Sequence, residues 1–263
     1  MADDKTNPGR FSPAGRADGP AARPPAPDAI SCRATNPLSL QDNLSKVFLD
    51  ERQAKATTAT RLFRSGEIFA ALAKVALPAF FASKRAKFTM WSAGCSSGEE
   101  VYSMAMIALN EFARAGRRPV MEAFGTDINP RRIAEARRGA YIRPSKDAFS
   151  RNCWLLLERY ARVGQHQVAM GGELLASCRF SLFDMRTRPK KHTFFFIVCN
   201  HVLQYYDSAG QRHIIENLKA VLNPGGYLYL EGVTEACIAG AGLRKAGTVP
   251  NLFAVGPDGR EAR

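Results

Sequence analysis

Residues 88–103, Phe-Thr-Met-Trp-Ser-Ala-Gly-Cys-Ser-Ser-Gly-Glu-Glu-Val-Tyr-Ser, constrain the fold more than any other stretch of this chain. Phe88 to Trp91 are apolar or β-prone and follow the basic run Lys84, Arg85, Lys87, the pattern of a buried strand that starts at the surface. Ser92 to Gly98 are nearly all small. From Glu99 onward Val101, Met104, Ala105, Ala108 and Leu109 fall on one helical face. Strand, small-residue turn and helix in this order place a ligand at the carboxyl end of the first strand of an open α/β sheet. Gly94 and Gly98 carry no Cβ, so backbone there can approach a ligand closely.

The acidic pair Glu99-Glu100 narrows the ligand. A loop built for phosphate offers Lys or Arg and bare helix N–H groups to the anion. Two carboxylates at a helix start favour the positive end of its dipole and repel phosphate. A ligand with an ammonium and a sulfonium fits better, which points to S-adenosylmethionine. The next apolar run, Val120 to Ile128, ends in Asp127, placed to accept hydrogen bonds from both ribose hydroxyls. An ordinary strand–helix turn at 94–98 and a helix-capping Asp127 are the plain alternatives.

The rest of the chain alternates in the same way. Residues 1–37, rich in Pro, Ala, Gly and Arg, read as a disordered tail. Residues 38–87 form a helical lead-in, with a short amphipathic helix from Leu38 to Gln53 and a second helix from Ser65 that Pro78 kinks or breaks. From 88 to 263 the pattern is strand, helix 99–114, strand 120–128, helix 130–139 with Pro130 in its first turn, and a helix around 147–161. A small β-hairpin excursion covers 163–175, with Gly164, Gly171 and Gly172, followed by a strand at 178–183. Phe194 to Cys199 is continuously apolar, as a central parallel strand requires. A helix at 208–222 stops at the turn Asn223-Pro224-Gly225-Gly226, Tyr227 to Leu230 is a strand, and 236–256 adds an antiparallel edge pair. The expected fold is a doubly wound α/β sheet.

Charge and cysteines limit the setting. The net charge is +13 over 263 residues, and the first fifty residues are balanced, so the excess lies on the folded part. That surface suits an acidic partner, or is simply a solvated basic surface. The six cysteines (32, 95, 153, 178, 199, 237) show no C-x-x-C spacing. With no signal peptide and no apolar run of membrane length, the chain reads as a reduced, cytoplasmic protein without membrane insertion. Four dispersed histidines argue against a metal site.

Seven stretches carry a family resemblance. They are Thr60-Arg61-Leu62-Phe63-Arg64, Trp91 to Ser103, Thr126-Asp127-Ile128-Asn129, Ala136 to Tyr141, Arg159-Tyr160, Ile197 to Asp207, and Leu222 to Leu228. In order and spacing they resemble the CheR-type chemoreceptor glutamate methyltransferases across residues 57–235. The resemblance implies a class I S-adenosylmethionine-dependent methyltransferase sheet of Rossmann-like type, and protein-glutamate O-methylation in bacterial chemotaxis signalling. It places Glu99 and Asp127 on the cofactor, with Asp127 at the ribose. Thr60 and Arg64 face the methionine end and the reacting carboxylate, and Tyr205 lies near the transferred methyl. Gly94, Asn200 and His201 join the cofactor set, with Ser181 and Leu182 beside the adenine where the family has Asn-Leu. The partner implied is a receptor cytoplasmic domain or another acidic signalling protein, bound by a monomer, with no nucleic acid. The 163–175 excursion corresponds to a β-subdomain that docks a receptor tail in some members.

The departures are specific. The family's Cys-Arg-Asn-Val is Cys199-Asn200-His201-Val202 here, and the first Phe of T-x-F-F-R is Leu62. About fifty residues, largely Pro-rich, stand where most members have an all-helical receptor-binding domain. Alongside glutamate methylation, a degenerate binding module that holds the cofactor or nothing stays open, favoured by Asn200 and His201. Nucleic-acid methylation would use the basic surface, but Cys199-Asn200-His201-Val202 lacks the N/D-P-P-aromatic motif that clamps a flipped base.

Overall fold

The computed structural model describes residues 60–190 and 192–255; the tail 1–37 and the amphipathic helix expected from Leu38 to Gln53 lie outside the described residues. The first elements are α1 (Gly66–Ala71), a π-turn (Leu72–Ala76) and α2 (Leu77–Ala82), which run on as one helical stretch. Pro78 does not break it. The Leu77 N–H bonds the Leu72 carbonyl five residues back, and this widened turn opens the space a proline ring needs next to the preceding carbonyls. Ile68, Phe69, Leu72, Ala76, Leu77 and Phe80 form the buried face.

Next come β1 (Phe88–Ala93), α3 (Glu99–Arg114), β2 (Met121–Asp127) and α4 (Pro130–Arg138), close to the expected bounds. Asn129 caps α4 by accepting from the Arg131 and Arg132 amides. The region after it departs from the sequence reading in two places. A 3-10 turn (Lys146–Ala148) precedes α5 (Arg151–Tyr160), because Ser150 caps a fresh helix by accepting from the Cys153 N–H. The excursion is a three-stranded antiparallel sheet rather than a hairpin: β3 (Ala140–Ile142), β4 (Ala161–Val163) and β5 (Gln167–Met170), in the order β3-β5-β4. Residues after it form α6 (Gly172–Ser177), with Glu173 at the positive helix end and Leu174 turned inward.

The main sheet is completed by β6 (Cys178–Leu182), β7 (Phe194–Cys199), α7 (Ser208–Lys219), β8 (Leu222–Leu230), α8 (Glu235–Gly240), β9 (Leu243–Lys245) and β10 (Leu252–Val255). Its order is β6-β2-β1-β7-β8-β10-β9. The first five strands are parallel, and β10 runs antiparallel to both β8 and β9. A turn was expected at Asn223–Gly226, yet these residues lie inside β8 as an irregularity, where the pairing jumps from Phe194↔Leu222 to Phe196↔Tyr227. Small residues absorb the extra chain length as a bulge, so α7 ends at Lys219 and the strand begins early.

Every residue of β7 is buried, as its unbroken apolar run requires. One face of the sheet packs Met90, Phe196 and Tyr229 against α1–α3; the other packs Trp91, Ile197 and Leu228 against Ile214 and Leu218 of α7. Chain order runs outward from β1 to β2 and β6, then jumps back to β7 and β8 on the other side. This reversal beside β1 opens a crevice at the carboxyl ends of the strands.

Candidate active site

The turn after β1 is held by backbone. The Gly94 and Cys95 N–H groups both donate to the Thr126 carbonyl, at 2.8 and 2.9 Å, and the buried Trp91 Nε1 donates to Thr126 Oγ1 at 2.9 Å. Gly94 has φ +87°, and a Cβ there would overlap Val202 Cγ2, so the turn and the chain after β7 touch backbone to side chain. Ser96 also takes a left-handed φ of +49°. Its N–H then reaches Asp127 Oδ2 at 2.9 Å, while the Asn129 N–H reaches Oδ1 at 2.8 Å. Asp127 is thus both a fastener for the loop and a carboxylate with a lone pair left on each oxygen.

Three carboxylates converge at this end of the sheet. Burial pushes Asp127 up, against the Asn129 and Ser96 amides and the Arg132 charge. Burial likewise raises Glu99, opposed by its 2.8 Å bond from Ser97 Oγ. Glu100 is raised by burial and opposed by Ser92 Oγ at 2.7 Å from Oε1 and Asn200 Nδ2 at 3.1 Å from Oε2. Desolvation dominates at all three, so a positive charge brought into the crook would favour their ionised forms.

The other expected residues stand on several elements. Ser181 and Leu182 end β6 in register with Thr126 and Asp127, and Leu182 is 46% exposed. Asn200 and His201 follow β7 directly; His201 has φ +57° and its Nδ1 lies 3.5 Å from Glu231 Oε1. Tyr205 closes a short 3-10 turn (Leu203–Tyr205), half exposed, its hydroxyl accepting from Gln204 Nε2 at 3.2 Å. Thr60 is half-buried and Arg64 exposed. Their segment is tied in by its backbone and by Ser65: the Phe63 N–H donates to Ser103 Oγ of α3 at 3.0 Å, and Ser65 Oγ accepts from Asn200 Nδ2 at 3.1 Å.

Sequence reasoning missed several participants. Glu100 belongs to the acidic pair already legible at the helix start, but its bonds to Ser92 and Asn200, and the bonds that join Ser103 and Ser65 across 40 and 135 residues, are announced by no local pattern. Tyr141 of β3 stood within a quoted motif, yet its part emerges only here: its hydroxyl donates to the Ser97 carbonyl at 2.7 Å and steadies the turn.

The chemistry fits S-adenosylmethionine. Asn200 Oδ1 and Ser96 Oγ are buried polar atoms with no protein partner, able to take bonds from a bound polar ligand. Asp127 retains acceptor capacity for vicinal hydroxyls, and the acidic crook suits a cationic methionine end. Among the described residues no group of His, Cys, Asp and Glu could hold a metal. No helix among them is long and apolar enough to cross a membrane.

Comparison with known proteins agrees. Residues 58–241 match the family described as CheR methyltransferase, SAM binding domain. A chemotaxis protein methyltransferase of Vibrio cholerae is 33% identical over 189 residues, covering 70% of this chain and 66% of the relative. An uncharacterized 104.1 kDa protein of Rhodobacter capsulatus is 28% identical over 175 residues, covering 66% of this chain and 18% of that one. The chain therefore spans about two-thirds of the first relative and under a fifth of the second. The amino pentose methyltransferase CalS10 of Micromonospora echinaspora, solved with its cofactor, is 18% identical with a TM-score of 0.36, covering 69% of this chain and 55% of that one. The strand order, the acidic crook after β1 and the match over 58–241 together show that this chain belongs to the CheR methyltransferase family and carries its S-adenosylmethionine-binding domain.

Proposed function

We propose that this protein transfers a methyl group from S-adenosylmethionine to glutamate side chains of a chemoreceptor cytoplasmic domain, or of a related acidic signalling protein, in the cytoplasm. The products are a glutamate methyl ester and S-adenosylhomocysteine. The observation that carries the reading is the Ser65–Asn200 bond, which brings the Thr60-to-Arg64 motif to the carboxyl end of β7, beside the acidic crook. When bound, the cofactor supplies an electrophilic methyl on a sulfonium.

The chain's own residues supply position rather than proton transfer. A glutamate side chain with a pKa near ~4.3 is already ionised at neutral pH, so no general base is needed. In-line placement of acceptor and donor is worth about 7–11 kcal/mol in favourable cases. In this reading Arg64 orients the acceptor carboxylate by a two-pronged contact. Tyr205, half exposed in the turn after β7, would offer an aromatic face to the sulfonium. Asp127 holds the ribose, Glu99 and Asn200 the methionine end, and Ser181 and Leu182 border the adenine, with Thr60, Gly94 and His201 completing the wall. The basic surface attracts an acidic partner, and the β3-β5-β4 sheet is where a receptor tail would dock.

The test is transfer of labelled methyl from S-adenosylmethionine to receptor cytoplasmic fragments, followed by base treatment. Label that enters the receptor and is released by base supports the reading. Calorimetric binding of the cofactor without any transfer would identify a binding module instead, and base-stable label would place the methyl on another group.

A further inference from the structure

Arg64, which the proposed reaction sets against the acceptor carboxylate, stands between two residues that are both held in unusual ways. Phe63, immediately before it, adopts φ +54°, a left-handed conformation that a bulky residue keeps only when its surroundings impose it. The imposition is visible. The Phe63 N–H donates to Ser103 Oγ at 3.0 Å, and that hydroxyl donates onward to the Glu99 carbonyl at 2.7 Å. The Phe63 ring sits between Phe69 and Phe149, at centroid distances of 5.9 and 5.3 Å.

Ser65, immediately after Arg64, is the N-cap residue of α1, where a serine hydroxyl ordinarily accepts from an amide of the first helical turn. It makes no such bond. Its Oγ accepts instead from Asn200 Nδ2, whose other contact is Glu100 Oε2, both at 3.1 Å. Glu100 is anchored in turn by Ser92 of β1 at 2.7 Å. The carboxylate can only accept, so it fixes the amide orientation and leaves the Asn200 nitrogen facing Ser65.

We infer that Ser103 and the Ser65–Asn200–Glu100–Ser92 chain are positioning residues that clamp Arg64 from both sides against the start of α3 and the end of β7. The inference deepens the proposed methyl transfer and rests on that reading. It also gives a use to the asparagine that stands where the family has arginine: Asn200 links the motif segment to the Glu100 carboxylate next to the cofactor crook. Removing the Ser65 hydroxyl leaves Asn200 held by Glu100, so loosening the clamp at that bond should move the acceptor and not the cofactor.

The test uses the full chain with Ser65→Ala, Ser65→Thr and Ser103→Ala, measuring kcat, KM for receptor fragment, calorimetric Kd for S-adenosylmethionine, and melting temperature. Ser65→Ala is expected to lower kcat about tenfold with the cofactor Kd within about twofold of the parent, since small misplacements of a positioned group cost rate steeply. Ser65→Thr keeps the hydroxyl and should restore kcat. Ser103→Ala should lower kcat similarly and speed amide exchange at Phe63. Unchanged kcat in Ser65→Ala, equal losses of kcat and cofactor affinity, or a Thr variant as poor as Ala would each overturn the clamp while leaving the reaction standing. Parent protein that transfers no methyl to any receptor fragment would overturn the reaction and the clamp together.

Discussion

Asp127 shows how one side chain serves two ends. Its oxygens take the Ser96 and Asn129 amides at 2.9 and 2.8 Å, so it both shapes the turn and presents acceptors to the ribose. Asp127→Ala is expected to weaken S-adenosylmethionine binding by one to two powers of ten, about 1–3 kcal/mol for an unpaired buried donor. A calorimetric Kd equal to the parent's would mean that the residue caps and nothing more. Arg64→Ala should abolish transfer and leave cofactor binding in place; unaltered turnover would remove Arg64 from the reaction. Gly94→Ala combines a φ of +87° with overlap of Val202 Cγ2. It should destabilise the fold by about 1–3 kcal/mol, seen in the denaturation midpoint, and weaken the cofactor site with it.

Among elements, the strand–turn–helix from β1 into α3 was legible because each signal in it is local: an apolar run, small residues, two acids at a helix start. Strand β7 was legible for the same reason. The stretch at Asn223–Gly226 misled because Pro and Gly mark turns in most settings, and here β7 captures them as an irregular strand. Gly226 is the tight point: a Cβ there would come within 2.8 Å of the Phe195 carbonyl and 2.9 Å of the Asn223 carbonyl. Gly226→Ala should therefore pry β8 from β7 and lower stability by about 1–3 kcal/mol. A melting temperature matching the parent's would show that the strand relaxes without loss. At Pro78 the helix is distorted rather than broken, passing through a π-turn just before the proline.

At the scale of the whole molecule, one buried and two half-buried carboxylates share one crook. Burial raises Glu99, Glu100 and Asp127 above their ordinary values. For acids raised in the folded state, their contribution to stability is full below the ordinary carboxylate range and is lost as pH rises through the raised native values. The crook is thus least comfortable at neutral pH, where a cationic ligand relieves it most. The rise in melting temperature on adding S-adenosylmethionine should be larger at about pH 7.5 than at about pH 5.5, with proton release on binding in mildly acidic buffer. Equal shifts at both values would show that the carboxylates hold the same charge with and without the cofactor.

What the sequence alone determined is whatever is written in neighbours along the chain: the alternation of strand and helix, the acidic turn after Trp91, the acid ending the next strand, and hence the cofactor and the family. The tertiary structure decided what depends on distant residues meeting. A third strand from 140–142 completes the small sheet, Glu100 becomes an anchor between Ser92 and Asn200, and Ser65 bonds a residue 135 positions away rather than its own helix. Hydrophobic period and capping chemistry act within a few residues and can be read locally, whereas a buried polar group takes whichever partner the completed fold brings within reach.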